Sequence, residues 1–177
     1  MRTPPRFPAV AAIGAVLLSS LALATDSKGK DFVTDAIQGN FGEVQVGQLA
    51  QQRATSPAVK DFGAMLAKDH EAANRQAMEA AKSLGVTPPT DAGREQKSVY
   101  EKLSQLQGPQ FDREFVKAMV KDHQEDIAKY RKEAGRHADA AVEYAKKTLP
   151  DLQKHLQMAQ HLQSQQKVAS ASSSTSK

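Results

Sequence analysis

His70 and His123 each end the same phrase. Phe62 stands eight residues before His70, which closes Met65-Leu66-Ala67-Lys68-Asp69-His70. Phe115 stands eight before His123, which closes Ala118-Met119-Val120-Lys121-Asp122-His123. Imidazole is a ligand for Zn, Cu, Fe and Ni, so a histidine repeated at one depth of two helices is a candidate metal ligand. Two further residues join the set. His155 lies three residues after Leu152 and four before Ala159, on or beside an apolar helical face. Glu43 falls on the line of Ala36, Asn40, Gly47 and Ala50, at the edge of another such face. Helical neighbours recur at three and four residues, so this spacing gives each of four helices one inward ligand-type side chain.

The default role of a histidine on an apolar stripe is structural, as a satisfied core or boundary residue. On that first reading no cofactor is needed. The alternative is a divalent transition metal held by Glu43, His70, His123 and His155. Asp69 and Asp122 adjoin the two repeated histidines. Adjacent helical residues point about 100° apart, so an aspartate and its histidine cannot both face the helix-bundle axis, and the aspartates are expected to make polar contacts between helices. The di-iron signature of bundle cores requires Glu-x-x-His on two helices. The chain has none: Glu71 is followed at that spacing by Asn74, and His123 by Asp126. A ferroxidase is therefore not expected.

Other chemistry is sparse. The chain has no cysteine, no glycine-rich phosphate loop and no serine elbow between strand and helix. His137 and His161 fall near helix ends or on polar faces, where solvated side chains are the default. No catalytic residue is assigned, and a non-enzymatic protein is expected.

The elements that must position these side chains are helices. Ala, Gln, Lys, Glu and Leu dominate, with little β-branched alternation. A first helix is expected from Lys30 to Ala54, with Val33, Ile37, Val44 and Ala50 inward. Gly39, Gly42 and Gly47 weaken it and suit close approach to a neighbour, with a local break near Gly39-Asn40 as the other option. Ser56-Pro57 is a start signal for a second helix, carrying Val59, Phe62, Leu66, His70, Ala73, Ala77 and Leu84 and stopped by Gly85. A loop with Pro88-Pro89 leads to a short amphipathic helix with Val99, Leu103 and Leu106. A third long helix spans Gln110 to Arg136. Asp139 caps a last helix, which Pro150 is expected to kink. From Ser164 the apolar stripe stops, and residues 164–177 read as a disordered Ser-rich tail.

The expected fold is therefore all-α: an antiparallel four-helix bundle with a short accessory helix and a Pro-kinked last helix. The two copies of the phrase lie 53 residues apart on the second and third long helices. That spacing fits a duplicated pair of helical hairpins, the plan of ferritin-like bundles.

Residues 1–24 read as a secretory signal peptide. Arg2 and Arg6 precede a small-residue-rich apolar run from Ala9 to Leu23, which closes on Ala22-Leu23-Ala24, an A-x-A cleavage site. The run is too short to span a bilayer. Residues 25–163 then form one domain. Removing Arg2 and Arg6 takes the formal charge from +4 to +2, a balanced surface without a nucleic-acid footprint.

An ordered set of motifs resembles one exported bacterial family, domain of unknown function (DUF) 4142, also called predicted outer-membrane protein. The set comprises Gly42-Glu43 with Gly47, Ser56-Pro57-Ala58-Val59, Met65 to His70 and Leu103-Ser104-x-Leu106-x-Gly108. It continues with Phe111-Asp112-Arg113-Glu114-Phe115, Met119 to His123 and Thr148-Leu149-Pro150-x-Leu152-x-x-His155-Leu156. The resemblance covers about Lys30 to Leu162. It implies a ferritin-like bundle in the periplasm or at the cell envelope and no established activity. A helical chain without an apolar span is not an outer-membrane barrel, so a soluble periplasmic protein is expected. Its role would be envelope- or stress-related, through a protein partner of the envelope; metal binding is the alternative function.

Overall fold

Five helices make up the structure, a computed structural model that describes the backbone of residues 17–174 and the side chains of residues 27–171. They are α1 (Leu17–Arg53), α2 (Pro57–Ser83), α3 (Arg94–Ser104), α4 (Gly108–Ala134) and α5 (Ala140–Ser174). No strand occurs among the described residues. The basic start of the expected signal peptide, with Arg2 and Arg6, lies outside them. α1 begins earlier than expected and passes unbroken through Gly39-Asn40. α5 continues past Ser164, where a disordered tail is expected. Gln and Ala sustain a helix without an apolar stripe, and the Gln166 side chain donates to the Asp112 carbonyl at 3.1 Å. Pro150 lies inside α5.

The stop and start signals act through identifiable bonds. Gly85 has φ +67°. The Val86 N–H reaches the Ala81 carbonyl at 2.8 Å and the Gly85 N–H that of Lys82 at 3.1 Å, the paired bonds that close a helix on a left-handed residue. Asp139 Oδ1 accepts from the Val142 N–H at 2.9 Å and so caps α5. Ser56 occupies the cap position of α2 with Pro57 behind it, but its side chain makes no cap bond. Asp112 of α4 instead holds the residues just before the helix, accepting from the backbone N–H groups of Thr55 at 3.0 Å and Ser56 at 2.9 Å. A carboxylate from another helix thus fixes the α1–α2 connection.

α1 packs along α2 and α4 along α5; α2 also contacts α5, and α3 lies over α1 and α4. The apolar core falls into two parts. One contains Leu49, Phe62, Leu66, Phe111, Phe115 and Met119. The other contains Val33, Ile37, Ala77, Ile127, Tyr144 and Leu152. In every long helix buried polar residues lie between these two sets: Asn40 and Glu43, His70 and Asn74, His123, and His155. A buried polar layer costs free energy unless its groups are paired, so its bonding pattern is the informative part of the molecule.

Helices α1 and α2 meet backbone to backbone above this layer. A Cβ on Gly63 would lie 2.6 Å from the Ala50 Cβ and 2.7 Å from the Gly47 carbonyl oxygen, whereas one on Gly39 would meet nothing within 4 Å. Gly63→Ala is expected to destabilise the protein by about 1–3 kcal/mol, the usual cost of overpacking. Gly39→Ala should stabilise it by about 0.5–1 kcal/mol through helix propensity. Urea midpoints shifting in opposite directions check the pair; equal midpoints would refute the close crossing.

Candidate metal centre

Three imidazoles from three helices converge in the polar layer. His70 of α2, His123 of α4 and His155 of α5 are 3%, 1% and 1% exposed. Their ring centroids lie 5.3–5.7 Å apart. One nitrogen of each lies within 4.8 Å of one nitrogen of each of the others.

The remaining nitrogens all meet acceptors. His123 Nδ1 lies 3.0 Å from the Met119 carbonyl oxygen, one turn back on its own helix. His155 Nε2 lies 3.1 Å from Asp69 Oδ2. His70 Nδ1 lies 2.9 Å from Asn40 Oδ1. The Asn40 amide is oriented by its other end, where Nδ2 donates to the Tyr144 hydroxyl at 3.0 Å; Tyr144 in turn lies 3.1 Å from the Tyr130 hydroxyl. Each ring therefore donates its N–H outward, to a carbonyl, a carboxylate or an amide oxygen. Neutral imidazole has one N–H and one lone pair, so the three lone pairs all face inward.

Burial keeps the rings neutral. It holds His70 well below the ordinary histidine range, helped by repulsion from His123 and His155. It brings His123 down to about 3, again with His155 contributing. His155 is also lowered by burial, although Asp69 pulls the other way.

This neutrality creates a conflict at the centre. His123 Nε2 and His155 Nδ1 are 3.3 Å apart, and with both N–H groups turned outward neither atom carries a proton to share. Moving the His155 proton to Nδ1 would satisfy this pair but leave a bare nitrogen facing the Asp69 carboxylate. His70 Nε2 has no partner at all. A cation bound by the lone pairs removes both defects. Two nitrogens on a tetrahedral ion with bonds of about 2 Å lie about 3.3 Å apart, the separation found here.

Glu43 stands beside this cluster, not within it. It is 5% exposed and groups with Asp122 and His123, each offering an atom within 4.8 Å of the others'. Of the four candidates from the sequence, His70, His123 and His155 share one centre, and Glu43 meets it only through His123. Sequence reasoning gave Asn40 no role, and the one available signal was its place on the inward line of α1. The aspartates do run between helices. Asp69 crosses to His155 on α5, and Asp122 faces Glu43 on α1.

Two clefts approach the layer. One of about 150 Å³, between α2 and α5, is lined by Asp69, His70, Gln76, Lys147, Asp151 and His155. One of about 70 Å³, between α1, α3 and α4, is lined by Gly42, Glu43, Gln96, Met119 and Asp122. A larger cleft of about 520 Å³ runs along α1 and α4. There Asp126 with Lys129 and Glu133 with Arg136 pair with each other. The two smaller clefts reach the titratable groups of the layer.

A protein-family model described as a domain of unknown function (DUF4142) matches residues 18–162. No curated protein and no solved structure matches the chain.

Proposed function

Because the chain belongs to the DUF4142 family, whose description assigns no activity, we propose from the site itself that it binds a divalent transition metal through His70, His123 and His155. The observation that carries this reading is the bonding pattern of the three rings. Each spends its N–H on an outer acceptor and turns its lone pair to a common point. Metal-ligating histidines are oriented in this way by carbonyl and carboxylate partners, and the neutral ring is the form that ligates. Three imidazoles without thiolate suit Zn²⁺, Cu²⁺ or Ni²⁺, and the 3.3 Å spacing of His123 and His155 favours tetrahedral Zn²⁺. A structural role for the rings would leave a buried imidazole nitrogen unpartnered and two lone pairs opposed.

The protein on this reading is a ferritin-like antiparallel four-helix bundle with α3 as accessory helix, exported to the periplasm and non-enzymatic. Support for export is the basic, apolar and A-x-A order of residues 1–24. Among the described residues no helix is long and apolar enough to cross a membrane. An envelope or stress-related role agrees with metal holding in that compartment.

Untagged protein, stripped of metal and titrated with Zn²⁺ and then Co²⁺, should bind one ion per chain at this site. The Co²⁺ form should show the intense visible bands of tetrahedral coordination. His123→Ala should weaken binding by more than about a hundredfold, and Asn40→Ala by about tenfold, the range for loss of an orienting partner. Failure of folded protein to take up Zn²⁺, Co²⁺, Ni²⁺ or Cu²⁺, or unchanged uptake in His123→Ala, would end this reading.

A further inference from the structure

The carboxylates beside the histidines form a separate arrangement with its own unsatisfied group. Glu43 comes from α1 and Asp122 from α4, and each offers an oxygen within 4.8 Å of the other's and of a His123 nitrogen. Glu43 Oε2 is buried without a hydrogen-bond partner. Among the described residues, no basic side chain forms a salt bridge with either one. Lys129, whose charge acts on Asp122, is engaged by Asp126 at 3.2 Å, one turn along α4 from Asp122. Lys121 is engaged by Glu125 at 2.9 Å.

The two carboxyl groups also hydrogen-bond each other, which still leaves Glu43 Oε2 without a partner. Burial pushes the Glu43 carboxyl well above its ordinary range, and the charge of Asp122 adds to the effect. Asp122 is also pushed up by burial. Asp126 rises to about 6, through burial and then the charge of Asp122. What a cation would complete here is the geometry: two facing carboxyl groups from different helices, one oxygen of which has no partner.

We propose that Glu43 and Asp122 form a second cation site, for a hard divalent ion of the Mn²⁺ class, distinct from the three-histidine centre. Carboxylate and water oxygens suit Mg²⁺, Ca²⁺ and Mn²⁺. His123 lies at the edge of the site, but its Nδ1 faces the Met119 carbonyl and its Nε2 faces His155, so the donors here are the carboxylate oxygens. The cleft of about 70 Å³ lined by Glu43 and Asp122 gives the ion a wet side, as hard ions that keep part of their water require. The site does not depend on the histidine centre being filled, since neither His70 nor His155 belongs to it.

The test removes the neighbouring centre first. His70→Ala/His155→Ala protein, stripped of metal, is titrated with Mn²⁺ while the six-line spectrum of the free ion is followed by electron paramagnetic resonance. The expected result is uptake of one Mn²⁺ per chain, weakened at least about tenfold by adding Glu43→Gln, since affinity for such ions follows the count of charged ligands. Uptake that is absent, or unchanged by Glu43→Gln, would overturn the proposal. Should the double variant lose its helical circular dichroism, the Zn²⁺-loaded wild type serves in its place. It should take up Mn²⁺ that Glu43→Gln abolishes, and failure there counts equally against the site. Loss of Zn²⁺ and Co²⁺ binding with Mn²⁺ uptake intact would refute the histidine centre alone.

Discussion

Zn²⁺ added to the metal-stripped protein is expected to raise its melting temperature by about 8–16 °C when the free ion is at about a thousand times its dissociation constant. A ligand at that excess which binds only the folded state adds about 4 kcal/mol, and for a chain of this length about 1 kcal/mol moves the melting temperature by about 2–4 °C. The effect is large because the ion stabilises the part of the core that is worst satisfied without it. The unpartnered Nε2 of His70 and the opposed lone pairs of His123 and His155 lie between two apolar clusters, where an unpaired polar group costs about 1–3 kcal/mol. His123→Gln should remove most of the Zn²⁺-dependent rise, because it takes away the ring that faces both others. Calorimetry of wild type and variant, each with and without Zn²⁺, gives the four values needed. An equal rise in both proteins would place the ion elsewhere.

The repeated phrase was legible as a device for placing two histidines at one depth, and the layer they share is where the structure puts them. Its aspartates were legible only as inter-helix contacts. The geometry of a helix explains why their partners were hidden. Asp69 and Asp122 each point about 100° away from the adjoining histidine, and the direction leads to a different neighbour in each copy. From α2 it leads to His155 on α5, where the carboxylate orients an imidazole; from α4 it leads to Glu43 on α1, where it meets another carboxylate. One sequence motif thus yields an acceptor that orients His155 once and an acidic pair once. Asn40 was hidden for a related reason. An asparagine on an inward line has no partner readable from spacing, and its bond to His70 depends on the α1–α2 crossing, which the close approach of Gly47 and Gly63 allows. Asp112 likewise holds the α1–α2 connection 56 residues away in sequence, a contact no local signal announces.

The stability of the metal-free protein is expected to depend on pH in two opposed ways, which substitutions at the two halves of the layer separate. His70, His123 and His155 stay neutral in the fold, whereas unfolded histidine takes up a proton near about 6.5. Below that value the unfolded chain binds more protons. The histidine contribution is therefore present above about pH 6.5 and is lost as pH falls toward the folded values, which for His123 is about 3. Glu43, Asp122 and Asp126 behave in the other sense. Their folded values are raised, so their contribution is present below the unfolded range near about 4 and is lost as pH rises through the folded values, which for Asp126 is about 6. Asp69 acts against the histidine limb by favouring protonated His155. Lys129 acts against the carboxylate limb by favouring ionised Asp122 and Asp126. Each full proton of difference gives a slope of about 1.4 kcal/mol per pH unit. The carboxylate limb makes stability fall as pH rises from about 4 through the raised folded values, about 6 for Asp126, and Glu43→Gln should lessen that fall. Between pH 6.5 and 5 His123→Gln should make the protein less sensitive to acid than wild type. Urea midpoints measured at half-unit intervals in the presence of a chelator read both limbs. A Glu43→Gln profile parallel to wild type throughout would mean that the metal-free fold does not raise the Glu43 carboxyl.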